Sequence, residues 1–133
     1  MTKEADPLRA LVVDSRQISR ETLAEILTGK VLLDLETETF LLVREVRYRS
    51  SVRQTVLLSL LARKALSLLK EGVVDATSPR DLAAATGAKS NTIRPVLKRL
   101  TSEALVVRRP QGYTIHVGAL ARVAHALTNR RKE

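Results

Sequence analysis

SPRDLAAATGAKSNTIRPVLKRLTSEALVVRRPQGY, residues 78–113, spells a short capped helix, a glycine turn, a second amphipathic helix with a cationic outer face, and a small basic hairpin. Ser78 reads as a helix start. Its hydroxyl can accept from a backbone N–H that has no partner inside the helix, Pro79 follows where no donor is needed, and Asp81 faces the positive helix end. Asp81 also completes a loose capping box with Ser78, although Glu or Gln serves better at that position. The helix runs through Thr86 and stops at Gly87, because glycine enters the left-handed region without steric cost.

A second helix restarts at once, over about 91–103, capped by Ser90, Asn91 or Thr92. Ile93, Val96, Leu97 and Leu100 recur at i, i+3, i+4 and i+7 and give one buried stripe. At about 100° per residue the opposite face carries Asn91, Arg94, Pro95 and Lys98, with Arg99 at its edge. Pro95 bears on where the helix begins, since it lacks an N–H and disfavours the α conformation at Arg94. With Ser90 as the cap it falls past the first turn and forfeits a hydrogen bond. With Asn91 or Thr92 as the cap it lies close to the first turn, and this later start is the one expected. Residues 105–108 and 113–117 are β-prone around the turn-forming Arg109-Pro110-Gln111-Gly112, a hairpin with Arg108, Arg109 and Gln111 near its tip.

The spacing resembles the helix-turn-helix family at a finer level. Counted from Pro79, that family wants an apolar fourth residue, a small fifth, a glycine ninth and branched apolar residues fifteenth and eighteenth; here these are Leu82, Ala83, Gly87, Ile93 and Val96. With the hairpin included, residues 50–128 resemble winged helix-turn-helix DNA-binding proteins such as the MarR- and ArsR-like transcriptional regulators. The resemblance implies that residues 91–103 are a recognition helix for a DNA major groove and residues 105–117 a basic wing on the backbone beside it. Asn91, Thr92, Arg94 and Lys98 are then expected at base edges, where Arg pairs with guanine and Asn with adenine. Lys89, Ser90, Arg99, Arg108 and Arg109 are expected to hold phosphates and fix register, with Gln111 beside them on the wing. Such regulators pair through elements outside the motif, so a homodimer is expected; the alternative is that the remaining apolar stripes close a monomer's core.

Charge follows the same division. Residues 1–46 hold six Lys/Arg and nine Asp/Glu, whereas residues 47–133 hold seventeen and five, so all of the excess in the net charge of +9 travels with the helix–turn–helix half. That is the footprint of a polyanion binder. There is no Cys, which removes disulfides and thiolate chemistry. Two histidines without ligand spacing predict no metal, no cofactor is implied, and no constellation of nucleophile and base supports an enzyme. Three aromatics, Phe40, Tyr48 and Tyr113, are too few for a base-stacking platform for single strands. Residues 1–9 are polar and residues 56–69 are apolar but interrupted by Arg63 and Lys64, so a soluble cytoplasmic, nucleoid-associated protein is expected.

The fold class expected is mainly α with small β-hairpins (α+β), a winged helix-turn-helix behind an acidic N-terminal extension (1–49) and before a basic tail (129–133). In the extension Ile18, Leu23, Ile26 and Leu27 stripe a short helix ending at Gly29, and residues 30–35 and 39–48 are β-prone around Glu36-Thr37-Glu38. Ser50 and Ser51 open a long helix through about Lys70 that is apolar nearly all round, so it needs neighbours on several sides, from the extension or from a second subunit. Leu120, Val123, Ala124 and Leu127 stripe a last helix, followed by Arg130, Arg131 and Lys132. Arg44, Arg47, Arg49 and Arg53 form a second basic cluster, which either extends the phosphate-contacting surface or is exposed charge. The competing functional reading is a protein-docking or ribonucleoprotein module inside a larger transcription, replication or translation complex, to which the acidic extension points.

Overall fold

The computed structural model describes residues 7–11 and 20–128. Ile18, the basic tail 129–133 and most of the first nine residues lie outside them. Around one central helix, α3 (Val52–Leu69), stand α1 (Arg20–Leu27), the hairpin β1–β2 (Val31–Asp34, Thr39–Leu42), α2 (Arg44–Arg49), α4 (Pro79–Thr86), α5 (Ser90–Ser102), the hairpin β3–β4 (Val106–Arg109, Gly112–Ile115) and α6 (Leu120–Thr128). Both sheets are two-stranded and antiparallel. The class is α+β, mainly α, as the sequence predicts.

α3 starts on a full capping box: Gln54 N–H donates to Ser51 Oγ at 3.1 Å and Ser51 N–H to Gln54 Oε1 at 3.0 Å. Every residue from Thr55 to Ala62 is buried. The two hydroxyls among them are satisfied by the helix itself, Ser59 Oγ donating to Thr55 O at 2.7 Å and Thr55 Oγ1 to Val52 O at 2.9 Å. Lys64 is also buried, and Asp75 meets its Nζ at 2.8 Å.

The cover that α3 requires comes from its own chain. Leu23, Ile26 and Leu27 of α1 and Leu42 of β2 share one apolar cluster with α3, α4, α5 and α6. In the first hairpin Val31, Leu33, Phe40 and Leu42 turn to that core, while the directly opposed pair Leu32 and Leu41 faces out. Asp34 Oδ1 accepts from the N–H groups of Glu36 and Thr37, which shapes the turn, and Glu38 takes a positive φ of 59°. Arg63 Nε donates to Val74 O at 2.7 Å and its Nη1 to Glu38 O at 3.2 Å, while Lys70 Nζ reaches Leu35 O at 2.8 Å, so the hairpin is tied to α3.

One run departs from expectation. The β-prone segment 39–48 is strand only to Leu42. Val43 N–H closes the pairing on Lys30 O, and the chain then turns into α2. Within 44–49 only Val46 packs inward, which gives no period-two face to bury. Glu45 in the first turn and Arg47 and Arg49 in the last suit the helix dipole instead. Among the described residues no helix is long and apolar enough to cross a membrane.

Candidate nucleic-acid interface

α4 begins as its sequence predicts, with Asp81 N–H donating to Ser78 Oγ at 3.1 Å and Pro79 in the first position; only this half of the capping box forms. Gly87 ends the helix at φ +82° and returns its N–H to Ala83 O at 2.9 Å. Thr86 Oγ1 then accepts from Ala88 N–H at 3.2 Å and holds the turn.

α5 starts earlier than expected. Its cap is Lys89, extended at φ −79° and ψ 151°, without a side-chain bond, and Ser90 is already helical. The Lys89 carbonyl accepts from Thr92 N–H at 2.9 Å and Ile93 N–H at 3.0 Å. Full burial of Ile93 and packing of Ala88 on the core fix the register of the turn and outweigh a side-chain cap, which contributes about 1 kcal/mol. Pro95 therefore sits inside the helix and has no N–H to offer the Asn91 carbonyl. Ile93, Leu97 and Leu100 are buried and Val96 is half-buried, as the periodicity requires.

The helix ends on Ala104 at φ +61°, with Leu105 N–H donating to Leu100 O at 3.1 Å. Arg122 of α6 donates to Glu103 O at 3.2 Å and Ala104 O at 3.1 Å, satisfying terminal carbonyls and fixing that end of α5.

The outward face carries the residues that the sequence assigned to it. Lys89, Asn91, Thr92, Arg94, Lys98 and Arg99 are exposed and Ser90 is half-buried; Arg108, Arg109 and Gln111 are exposed on the second hairpin, whose register pairs Arg108 with Tyr113 and Arg109 with Gly112. None of the six cations on α5 and its cap or on the hairpin forms an ion pair with a described residue. The paired cations lie elsewhere: Arg53 with Glu103, Lys64 with Asp75 and Lys70 with Glu38. Glu103 caps the C-terminal end of α5. Its hydrogen bond from Arg53 Nη2 at 2.6 Å, with the further positive field of Arg99, holds its carboxyl below the ordinary value, so it is a neutralised carboxylate at the edge of the surface.

No family model, curated protein or solved structure matches this chain.

Two features of the site escape a reading of the sequence. Thr77, before α4, forms an antiparallel bridge with Tyr113, so the second hairpin gains a third short pairing and is anchored beside α4. The partners are 36 positions apart, and only the β-branched Thr77 hints at it. The second feature is Arg47, which α2 lays against the α4–α5 turn: a methyl group built on Gly87 would run into its guanidinium. Arg53, by contrast, is withdrawn from the basic cluster by its pairing with Glu103. His116 is used structurally, its Nδ1 accepting from Gly118 N–H at 3.0 Å.

Proposed function

We propose that this protein binds double-stranded DNA and reads sequence through α5, as a transcriptional regulator of the winged helix-turn-helix kind. The observation that carries the reading is the outward face of α5: Asn91, Arg94 and Lys98 are exposed, rooted by a buried stripe on the same helix, and not paired with any acid among the described residues. An α-helix with such a face fits a major groove, where Arg and Asn side chains distinguish base pairs by bidentate hydrogen bonds. The order of α3, α4, α5 and a following hairpin is in keeping with that family, and Arg108 and Arg109 supply cations where a wing would meet the backbone.

Selection of bound fragments from random duplex DNA at about physiological salt tests the reading. Enrichment of a short motif supports it. An inverted repeat with half-sites about 10 bp apart, or a multiple, would add a two-fold dimer. A pool that stays unenriched counts against sequence reading.

A protein-docking role is the second reading, and one observation favours it. Leu32 and Leu41, 65% and 69% exposed, are directly opposed on the outward face of the first hairpin. Recovery of a stoichiometric protein partner that is lost in Leu41→Ser, from a chain that selects no DNA motif, would shift the assignment to that role.

A further inference from the structure

The charges of α2 are not spread evenly around it. Arg44, Arg47 and Arg49 are all exposed, and none forms an ion pair with a described residue. At about 100° per residue, Arg44 and Arg47 lie about 60° apart, whereas Arg49 lies about 200° from Arg47. Arg49 accordingly lines a groove with Lys30 and Leu127, toward α6. Arg47 lies in the other direction, against Gly87 in the turn that leads into α5. Gly87 is two residues before Lys89, so the Arg47 guanidinium lies against backbone no more than about 7 Å from the Lys89 backbone. The acids that share a cavity with Arg47 do not neutralise it: the Glu38 carboxylate is held by Lys70 at 3.1 Å, and Asp81 makes no ion pair with a described residue.

We propose that Arg47, with Arg44 beside it on the same face of α2, is a further phosphate-contacting site for duplex DNA at the leading end of α5. The inference rests on the DNA-binding reading above and adds to it a contact from an element outside the helix–turn–helix. A guanidinium is suited to this task because its planar fork meets two phosphate oxygens at once. The DNA backbone is then gripped by three separate elements: α2, the turn at Lys89, and the β3–β4 hairpin.

The test is the salt dependence of binding to one fixed duplex, between about 50 and 200 mM salt, for the wild type and for Arg47→Ala, Arg47→Lys, Arg49→Ala and Arg109→Ala. Arg47→Ala is expected to lower the magnitude of the slope of log K against log salt by about one, and Arg47→Lys to keep it. Arg49→Ala removes the same charge from the same helix but faces away, and should leave the slope unchanged. A wild-type slope in Arg47→Ala, or an equal loss in Arg49→Ala, overturns the α2 contact. If Arg109→Ala weakens binding while Arg47→Ala does not, the DNA reading stands and only this inference falls. If the wild type binds no duplex, both fall together.

Discussion

Thr77 and Tyr113 exchange both backbone hydrogen bonds, Thr77 N–H to Tyr113 O at 2.9 Å and Tyr113 N–H to Thr77 O at 2.8 Å. This pair decides where the basic hairpin stands. A two-stranded hairpin is marginally stable by itself, and its tip could take many positions relative to α5. The bridge joins it to the segment that caps α4, so Arg108 and Arg109 are carried by the same rigid unit as the α4–α5 turn. The placement of the hairpin is therefore a consequence of one long-range pairing as much as of local turn chemistry.

Gly112 makes that approach feasible. It has φ +143°, and a methyl group on it would collide with the carbonyl of Thr77. The obstacle is backbone, which cannot swing aside. Gly112→Ala should cost at least about 2 kcal/mol, combining strain at a glycine-only conformation with loss of the bridge. Urea unfolding would measure this, with faster hydrogen exchange at the Thr77 and Tyr113 amides as the local signature. Gly87→Ala should be milder, about 1–2 kcal/mol, because the group in its way is the end of a flexible Arg47 side chain. Equal stability of Gly112→Ala and wild type would show that the bridge does not hold the hairpin.

Pro95 is exposed and lies inside α5, so its replacement removes a defect without opening a cavity. Pro95→Ala restores the N–H that the Asn91 carbonyl lacks, and should raise stability by about 1–3 kcal/mol, seen as a higher thermal midpoint. A lower midpoint would mean that the ring makes contacts which outweigh the missing hydrogen bond.

What the sequence disclosed and what it concealed divide by range. Ser78, Gly87 and the stripe Ile93, Leu97, Leu100 act within one or two turns, and each stands where its local chemistry places it. The all-round apolar surface of α3 announces a central helix, yet not what surrounds it; that the cover is α1 and the first hairpin is a tertiary fact. The start of α5 was misplaced because the burial of Ile93 and Ala88, set by packing, overrides cap preference. α2 was hidden because Val43, Val46 and Tyr48 carry β propensity, while the helix follows from charge order and from a hairpin that ends at Val43. Among the site residues, exposure was legible from periodicity. The withdrawal of Arg53 by Glu103, fifty positions away, was not.

That Arg53–Glu103 pair gives stability a pH dependence of known sign. The hydrogen bond from Arg53 holds the Glu103 carboxyl below its ordinary value of 4.5. Its contribution is therefore complete above that value and is lost as pH falls through the lower, folded-state value. Both side chains are more than a third exposed, so solvent screening limits the contribution to about 0.5 kcal/mol. Glu103→Gln should unfold more readily than the wild type at neutral pH and equally in strong acid. Denaturant midpoints across pH check this, and a difference that persists in strong acid would assign the loss to packing instead.

The two classes of proposed DNA contact predict different mutational signatures. Arg94 is exposed on α5, about 100° around the helix from buried Ile93, and in the proposed complex its guanidinium would meet a base edge. Arg109 sits at the end of β3, paired in register with Gly112, and in the proposed complex it would meet the DNA backbone. Arg94→Ala should cost about 1–3 kcal/mol on a selected site and relax preference at one base step, with little loss on unrelated duplexes. Arg109→Ala should weaken every duplex alike and lower the magnitude of the salt slope by about one. Competition binding with a selected duplex and its single-step variants separates the two. If Arg94→Ala weakens all duplexes equally, the outward face of α5 holds DNA without reading it, and the protein acts as a sequence-tolerant backbone binder.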